Sequence, residues 1–109
     1  MRFVENRRFA RYDVDLPCEL FGPGPGGETL RFVATMRNLS LHGAGLRFPL
    51  HPDKDDLGRV HRLNVPPLGW FDVELRWQKA AIAGVRFIDE NAPERVDRYL
   101  RSQGIEIEP

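Results

Sequence analysis

Short segments in which apolar and polar residues alternate recur along most of the chain. In the first, Val14, Leu16, Cys18 and Leu20 alternate with polar or turn-forming residues. Alternation with a period of two is typical of a strand that buries one face. Further segments of this kind cover residues 30–39, 44–48, 60–65, 70–79 and 80–88. Because Gly, Pro, Asn or Asp residues interrupt most of them, the sequence predicts about six short strands in a sandwich or small barrel.

The period changes near the end of the chain, where residues 92–103 are predicted to form a helix. Asn91 stands at the N-cap position, and Pro93 lies in the first turn. Gly104 is expected to end the helix in a left-handed conformation. One apolar stripe and two favourable charge pairs at a spacing of four support this prediction: Val96, Tyr99 and Leu100, then Glu94 with Arg98 and Asp97 with Arg101. The helix is expected to cover an open end or an edge of the strands.

Length and charge limit the classes of protein to consider. The 109 residues fit one domain, 1–109. The 16 basic and 16 acidic side chains balance, which argues against binding to a nucleic-acid polymer. Cys18, the single cysteine, is expected to be a buried structural thiol. With no signal-peptide core and no apolar run of membrane-spanning length, we expect a cytoplasmic protein without membrane insertion.

The residue patterns of common enzymes and metal sites are missing from the sequence. His42, His51 and His61 lack metal-ligand spacing, and one cysteine cannot complete a zinc site. The glycine-rich segment 22–27 lacks the Gly-Lys-Ser/Thr ending of a phosphate loop and is interpreted as a flexible connection. We therefore expect no catalytic residues, no metal and no enzymatic activity.

Three arginines, Arg7, Arg8 and Arg11, lie in a basic N-terminal segment, residues 1–11, that is predicted to be a flexible tail. Arginine presents a planar, permanently charged fork of donors that matches phosphate oxygens, and it also bonds the O6 and N7 edge of guanine. This cluster is therefore a candidate guanine-nucleotide site. The alternative is a basic run that is simply solvated.

A second candidate is the segment from Asn38 to Gly43. On an extended backbone, Asn38 and Ser40 face the same way and Leu39 faces the core. An Asn oxygen can accept from guanine N1 or N2, and a serine hydroxyl can bond a base or a phosphate. Gly43 permits close backbone approach. The alternative is an ordinary turn that ends a strand, because Asn, Ser and Gly all favour turns.

Taken together, the two segments resemble the signatures of the PilZ family of cyclic di-GMP receptors, Arg-x-x-x-Arg and Asp/Asn-x-Ser-x-x-Gly. Here these are Arg7 to Arg11 and Asn38 to Gly43, in the order found in the family. The segment 84–87 followed by a short helix also resembles the end of such domains. The resemblance covers essentially the whole chain. It implies an all-β fold with a C-terminal helix, a six-stranded antiparallel small β-barrel, and cyclic di-GMP as the ligand without a cofactor.

The resemblance also implies roles for individual residues. Arg7 and Arg11 would clamp phosphates and a guanine face with help from Arg8, while Asn38 and Ser40 would read a guanine edge. Gly43 would let the ligand lie against the backbone. Arg86 and Trp77 lie on later strands that could line the same surface. Alternation along the strand also fits Trp77 to the core face that it shares with Phe71, Val73 and Leu75, and this is its favoured role.

Three functions remain open from the sequence. The first is a receptor and adaptor whose arginine segment folds over the barrel when cyclic di-GMP binds, and which then signals to an unidentified downstream protein. The second is a PilZ-like protein-interaction module that does not bind nucleotide. The third is a small barrel for single-stranded nucleic acid, which the zero net charge disfavours.

Overall fold

A computed structural model describes residues 10–105 of the chain. Within them, six antiparallel strands close into a barrel in the order β1-β2-β3-β6-β5-β4. The predicted fold class, an all-β barrel with a C-terminal helix, is thereby confirmed. The elements in chain order are β1 Tyr12–Pro23, β2 Thr29–Leu39, β3 Gly43–Arg47, α1 Lys54–Leu57, β4 Arg62–Val65, β5 Gly69–Lys79, β6 Ile82–Phe87 and α2 Ala92–Ser102. Arg7 and Arg8 lie outside the described residues.

The inward-facing residues of the strands form one apolar core. Leu20, Met36 and Leu63 are fully buried in it, and so is Leu39, which points inward as expected. Cys18 is buried as well, and burial, together with the neighbouring Glu19 carboxylate, raises the pKa of its thiol to about 12. The predicted structural role of this cysteine is confirmed, because a thiol with such a pKa is not a nucleophile near neutral pH.

Helix α2 packs its apolar stripe into the core through Ala92, Val96 and Leu100. Gly104 follows the helix with φ +81°, as predicted. The N-cap differs from the prediction, because the Asn91 side chain makes no capping hydrogen bond. The two predicted charge pairs are both present, Glu94 with Arg98 and Asp97 with Arg101.

The connection between β3 and β4 contains a short helix, α1. The Asp53 side chain caps it by accepting a hydrogen bond from the Asp56 backbone N–H at 3.0 Å. Leu57 then enters the core and is fully buried. The helix is one turn long, so it leaves no apolar periodicity in the sequence, and the Asp cap was its one local signal.

Three β-bulges shift the strand register. They lie between Asp13 and Leu16, between Met36 and Asn38, and between Leu75 and Trp77. Since a bulge adds one residue to one strand, it reverses which later side chains face outward. The assignment of Trp77 to the core is therefore wrong: the side chain lies on the outer surface and is 44% exposed.

Among residues 10–105, no helix is long and apolar enough to cross a membrane. The same residues contain no cluster of three or more His, Cys, Asp or Glu side chains that could hold a metal ion.

Candidate functional site

One row of residues crosses five neighbouring strands on the outer surface of the barrel. The strand registers place Asp13 opposite Asn38, Asn38 opposite Gly45, Gly45 opposite Gly84, and Gly84 opposite Trp77. The third and fourth residues of the row are glycines, and the other three carry side chains. We call these five residues, Asp13, Asn38, Gly45, Gly84 and Trp77, the glycine row.

The side chains beside the two central glycines lie over them. A Cβ at Gly45 would lie 2.6 Å from Asn38 Nδ2, and a Cβ at Gly84 would collide with the five-membered ring of Trp77. Both glycines are buried for this reason, although they face outward. The lack of a Cβ at these two positions therefore sets the orientation of the Asn38 amide and of the Trp77 indole.

A cavity of about 390 Å³ opens along the glycine row. Its walls include Asn38 and Trp77, and Arg37 and Arg47 contribute guanidinium groups. Arg11 reaches the same place, since its Nη1 donates a hydrogen bond of 2.8 Å to Asn38 Oδ1. The structure thus brings one residue of each predicted motif, Arg11 and Asn38, into direct contact across β1 and β2.

The arginines at this cavity differ from most others in residues 10–105 because no described carboxylate pairs with them. Arg11, Arg37 and Arg47 form no ion pair with a described residue, whereas seven other arginines do: Arg31, Arg62, Arg76, Arg86, Arg95, Arg98 and Arg101. Arg59, the remaining described arginine without an ion pair, lies in the segment before β4 and does not line the cavity. Three guanidinium groups without a described ion-pair partner are thus concentrated at one site, which favours an anionic ligand.

The Ser40 hydroxyl is engaged in a turn. It is 6% exposed, accepts from the Gly43 and His42 backbone N–H groups at 3.1 and 3.3 Å, and lies 3.2 Å from the Gly43 carbonyl, to which it donates. The Ser40 backbone N–H also donates to the Gly43 carbonyl at 2.9 Å. Ser40 follows the end of β2, so it does not share a strand face with Asn38. Its hydrogen bonds instead fix the turn that leads from Asn38 into β3.

Gly43 lies against a neighbouring strand in this structure. A Cβ at Gly43 would collide with the backbone carbonyl of Val85 on β6. The close approach expected for this glycine is therefore one between β3 and β6. Arg86, which is opposite Gly43 on β6, points outward and donates to Glu74 Oε1 at 3.2 Å, and it does not line the cavity.

Arg37 and Arg47 belong to neither sequence motif and were not predicted as site residues, and Trp77 was favoured as a core residue. Arg37 lies in the β2 bulge and Trp77 directly follows the β5 bulge, so period-two counting misplaces their side chains. Arg47 could have been found, because it alternates with the buried Leu46 and Phe48 at the end of β3.

Comparisons with solved structures show the same fold. The PilZ domain of YcgR from Escherichia coli, solved with c-di-GMP, aligns with a TM-score of 0.62 at 18% identity, over 87% of this chain and 88% of that one. YcgR from Escherichia coli in complex with c-di-GMP aligns with a TM-score of 0.54 at 19% identity, over 89% of this chain. MrkH of K. pneumonia in its apo state aligns with a TM-score of 0.56 at 14% identity, over 85%.

The chain spans 45% of that YcgR chain and 49% of the MrkH chain. None of the curated proteins matches the sequence significantly. The sequence does match the PilZ domain family over residues 5–102, which include both motifs and all six strands. This chain therefore belongs to the PilZ domain family.

Proposed function

We propose that this chain is a cyclic di-GMP receptor that binds its ligand along the glycine row. The observation that carries the proposal is the group of three arginines without described ion pairs, Arg11, Arg37 and Arg47, around a cavity that also presents the Trp77 indole. A cyclic dinucleotide combines two phosphates with two flat bases. Guanidinium forks suit its phosphates, and an exposed indole suits stacking on a base.

Each part of the site takes one role in this proposal. Arg11, with Arg7 and the helper Arg8 from outside the described residues, binds phosphate and a guanine face. Arg37 and Arg47 add positive charge from the other walls of the cavity. Trp77 stacks on a base above the Gly84 backbone, an arrangement consistent with its 44% exposure.

Asn38, Ser40 and Gly43 support the site in different ways. Asn38 holds the Arg11 guanidinium and presents its amide to a guanine edge. The Ser40 hydroxyl holds the turn, and Gly43 keeps β3 close to β6, so both position the wall from which Asn38 projects. Arg86 contributes long-range charge only, because Glu74 is its nearest partner.

We further propose that the chain acts as an adaptor and not as an enzyme. Ligand binding would draw the arginine segment, residues 2–11, onto the barrel, and the altered surface would be recognised by a downstream protein. The structural relatives support the ligand class: YcgR was solved with c-di-GMP, and MrkH is described as a c-di-GMP-dependent transcription regulatory factor. The alternative is a PilZ interaction module that binds no nucleotide.

Isothermal titration calorimetry tests the proposal with one matched pair of variants. Arg11→Ala should weaken cyclic di-GMP binding about tenfold or more, because a hydrogen bond to a charged group contributes about 1.5–3 kcal/mol. Arg59→Ala removes the same charge from an arginine that also has no described ion pair but lies away from the cavity, and should leave the affinity nearly unchanged. If both variants weaken binding equally, or if cyclic di-GMP gives no heat of binding with the parent protein, the alternative of a PilZ interaction module that binds no nucleotide is favoured.

A further inference from the structure

The hydrogen bond between Arg11 and Asn38 limits how the site can recognise a base. Asn38 has one amide oxygen, and that oxygen accepts from Arg11 Nη1 at 2.8 Å. The edge of guanine that distinguishes it from other bases presents two adjacent donors, N1–H and the N2 amine. Two acceptor atoms side by side match both donors best. The single Asn38 oxygen, which already accepts from Arg11, has one lone pair left and does not provide two such atoms.

The carboxylate of Asp13 does provide them. Asp13 lies directly opposite Asn38 in the β1–β2 pairing and lines the same cavity. Its side chain is exposed and forms no ion pair or hydrogen bond within residues 10–105. Asp13 is also the one acidic residue among those that line the cavity. Its two oxygens are spaced to accept from two neighbouring N–H groups at once.

A carboxylate beside three arginines would otherwise disfavour an anionic ligand. Repulsion between this carboxylate and a phosphate about 8 Å away in water weakens binding only about twofold. A bidentate bond to guanine strengthens binding about tenfold or more. The gain exceeds the cost only when the base is guanine, so an aspartate at this position that has no partner among residues 10–105 increases the selectivity of the site for that base.

We propose that Asp13 is the main determinant of guanine specificity, and that Asn38 positions Arg11 and adds no more than one acceptor for the base. This inference rests on the proposed binding of cyclic di-GMP to the glycine row. In the complex, the Asp13 carboxylate accepts hydrogen bonds from N1–H and from the N2 amine of one guanine. The phosphates remain with the arginines, and Trp77 stacks on a base.

The test compares two ligands and two variants by calorimetry. Cyclic di-IMP carries hypoxanthine, which keeps N1–H and O6 but lacks the N2 amine. The parent protein should bind cyclic di-GMP about tenfold more tightly than cyclic di-IMP. Asp13→Asn should weaken cyclic di-GMP binding about tenfold and cyclic di-IMP binding clearly less, because the remaining oxygen still accepts from N1–H, although as a neutral acceptor. The preference for guanine should therefore become clearly smaller.

Asp15→Asn is the matched control. It removes the same charge two residues further along β1, from an exposed residue that does not line the cavity, and should alter neither affinity by more than about twofold. If Asp13→Asn strengthens binding of both ligands equally, the carboxylate acts only through charge and the inference is wrong. A parent protein that binds both ligands equally well overturns it too. If the parent binds neither ligand, the proposed function itself is wrong, and the inference, which rests on it, is wrong as well.

Discussion

At three outward-facing glycines of β3 and β6, neighbouring atoms leave no room for a Cβ. The kind of atom that stands in the way differs among the three. At Gly43 the atom in the way is the Val85 backbone carbonyl, whereas at Gly45 and Gly84 it belongs to the Asn38 amide or the Trp77 indole. A backbone strand in a closed barrel cannot move without altering its neighbours, but a surface side chain can rotate away. The first glycine is therefore required by the fold and the other two by the site.

Alanine substitutions should separate these two requirements. Gly43→Ala should lower the free energy of unfolding by about 1–3 kcal/mol, the usual cost of overpacking, because β3 must move away from β6. Gly45→Ala should change stability by less than about 1 kcal/mol, because only the Asn38 side chain has to move, and should weaken cyclic di-GMP binding about tenfold through loss of the Arg11 contact. Urea unfolding and calorimetry on both variants check this; a Gly45→Ala protein that binds as the parent does would show that the Asn38 position is unimportant.

At the scale of single residues, the sequence predicted which residues belong to the candidate site better than it predicted which way their side chains point. Arg11 and Asn38 were selected by motif, and the structure brings them into contact. Trp77 was placed in the core because alternation along β5 was counted without interruption, and nothing in Leu75-Arg76-Trp77 marks the bulge. A bulge depends on how two strands pair, so it is not visible in the residues of one strand alone.

At the scale of elements, the attachment of α2 to the barrel depends on one charged residue besides the apolar stripe. Arg95 donates from Nη2 to the Leu68 carbonyl at 2.8 Å and has its guanidinium carbon 3.8 Å from the centre of the Phe71 ring. Its Nη1 lies 3.6 Å from Asp89 Oδ2, and its side chain is 21% exposed. Sequence patterns give no sign of this role, because Arg95 is one of three arginines in the helix and nothing distinguishes it locally.

Arg95→Ala should destabilise the fold by about 2–3 kcal/mol, because it removes a charge-assisted hydrogen bond and a cation–π contact. Arg98→Ala is the matched control within the same helix. Arg98 is 72% exposed and pairs only with Glu94, so its loss should cost less than about 0.5 kcal/mol. The midpoints of urea denaturation compare the two variants directly. Similar midpoints would mean that the apolar stripe alone holds the helix.

The six strands and α2 were predictable because each repeats its own pattern over several residues, with turn-forming residues between most of them. The closure of the barrel was not predictable from those patterns. It requires β3 to pair with β6 and β1 with β4, between segments far apart in the sequence. The local residue patterns left a sandwich and a barrel open, and the resemblance to the PilZ family predicted the barrel but was not used to predict the order of its strands.

At the scale of the whole molecule, a net charge of zero hides an uneven distribution. In the ring of strands, β3 and β6 lie opposite β4 and β1. On the β1 and β4 side, Arg31 pairs with Glu19 and Arg62 with Asp72. On the glycine-row side, Arg11, Arg37 and Arg47 have no such partner among the described residues. The net charge gives no sign of this cluster, because only the ion pairs show which described arginines lack a carboxylate partner.

This distribution leads to a prediction about the arginine segment. Arg11 is held at the glycine row by Asn38, and Arg7 lies four residues before it in the chain. If both bind phosphates of one cyclic di-GMP, the backbone of residues 2–11 is restrained at two points while the ligand is bound. Amide hydrogen exchange in that segment should then slow about tenfold or more at saturating ligand, which corresponds to ~1.4 kcal/mol of added protection.

Hydrogen exchange followed by mass spectrometry measures this change with two internal comparisons. Strand β4, opposite β3 in the ring, should show no change, because the ligand does not contact it. Cyclic di-AMP at the same concentration carries the same phosphates but should protect the segment far less, because its base lacks the O6 acceptor and the N2 amine that the site is proposed to bind. Unchanged exchange in residues 2–11 at full occupancy would show that the ligand binds without recruiting the segment, and the adaptor would then need another surface through which to signal.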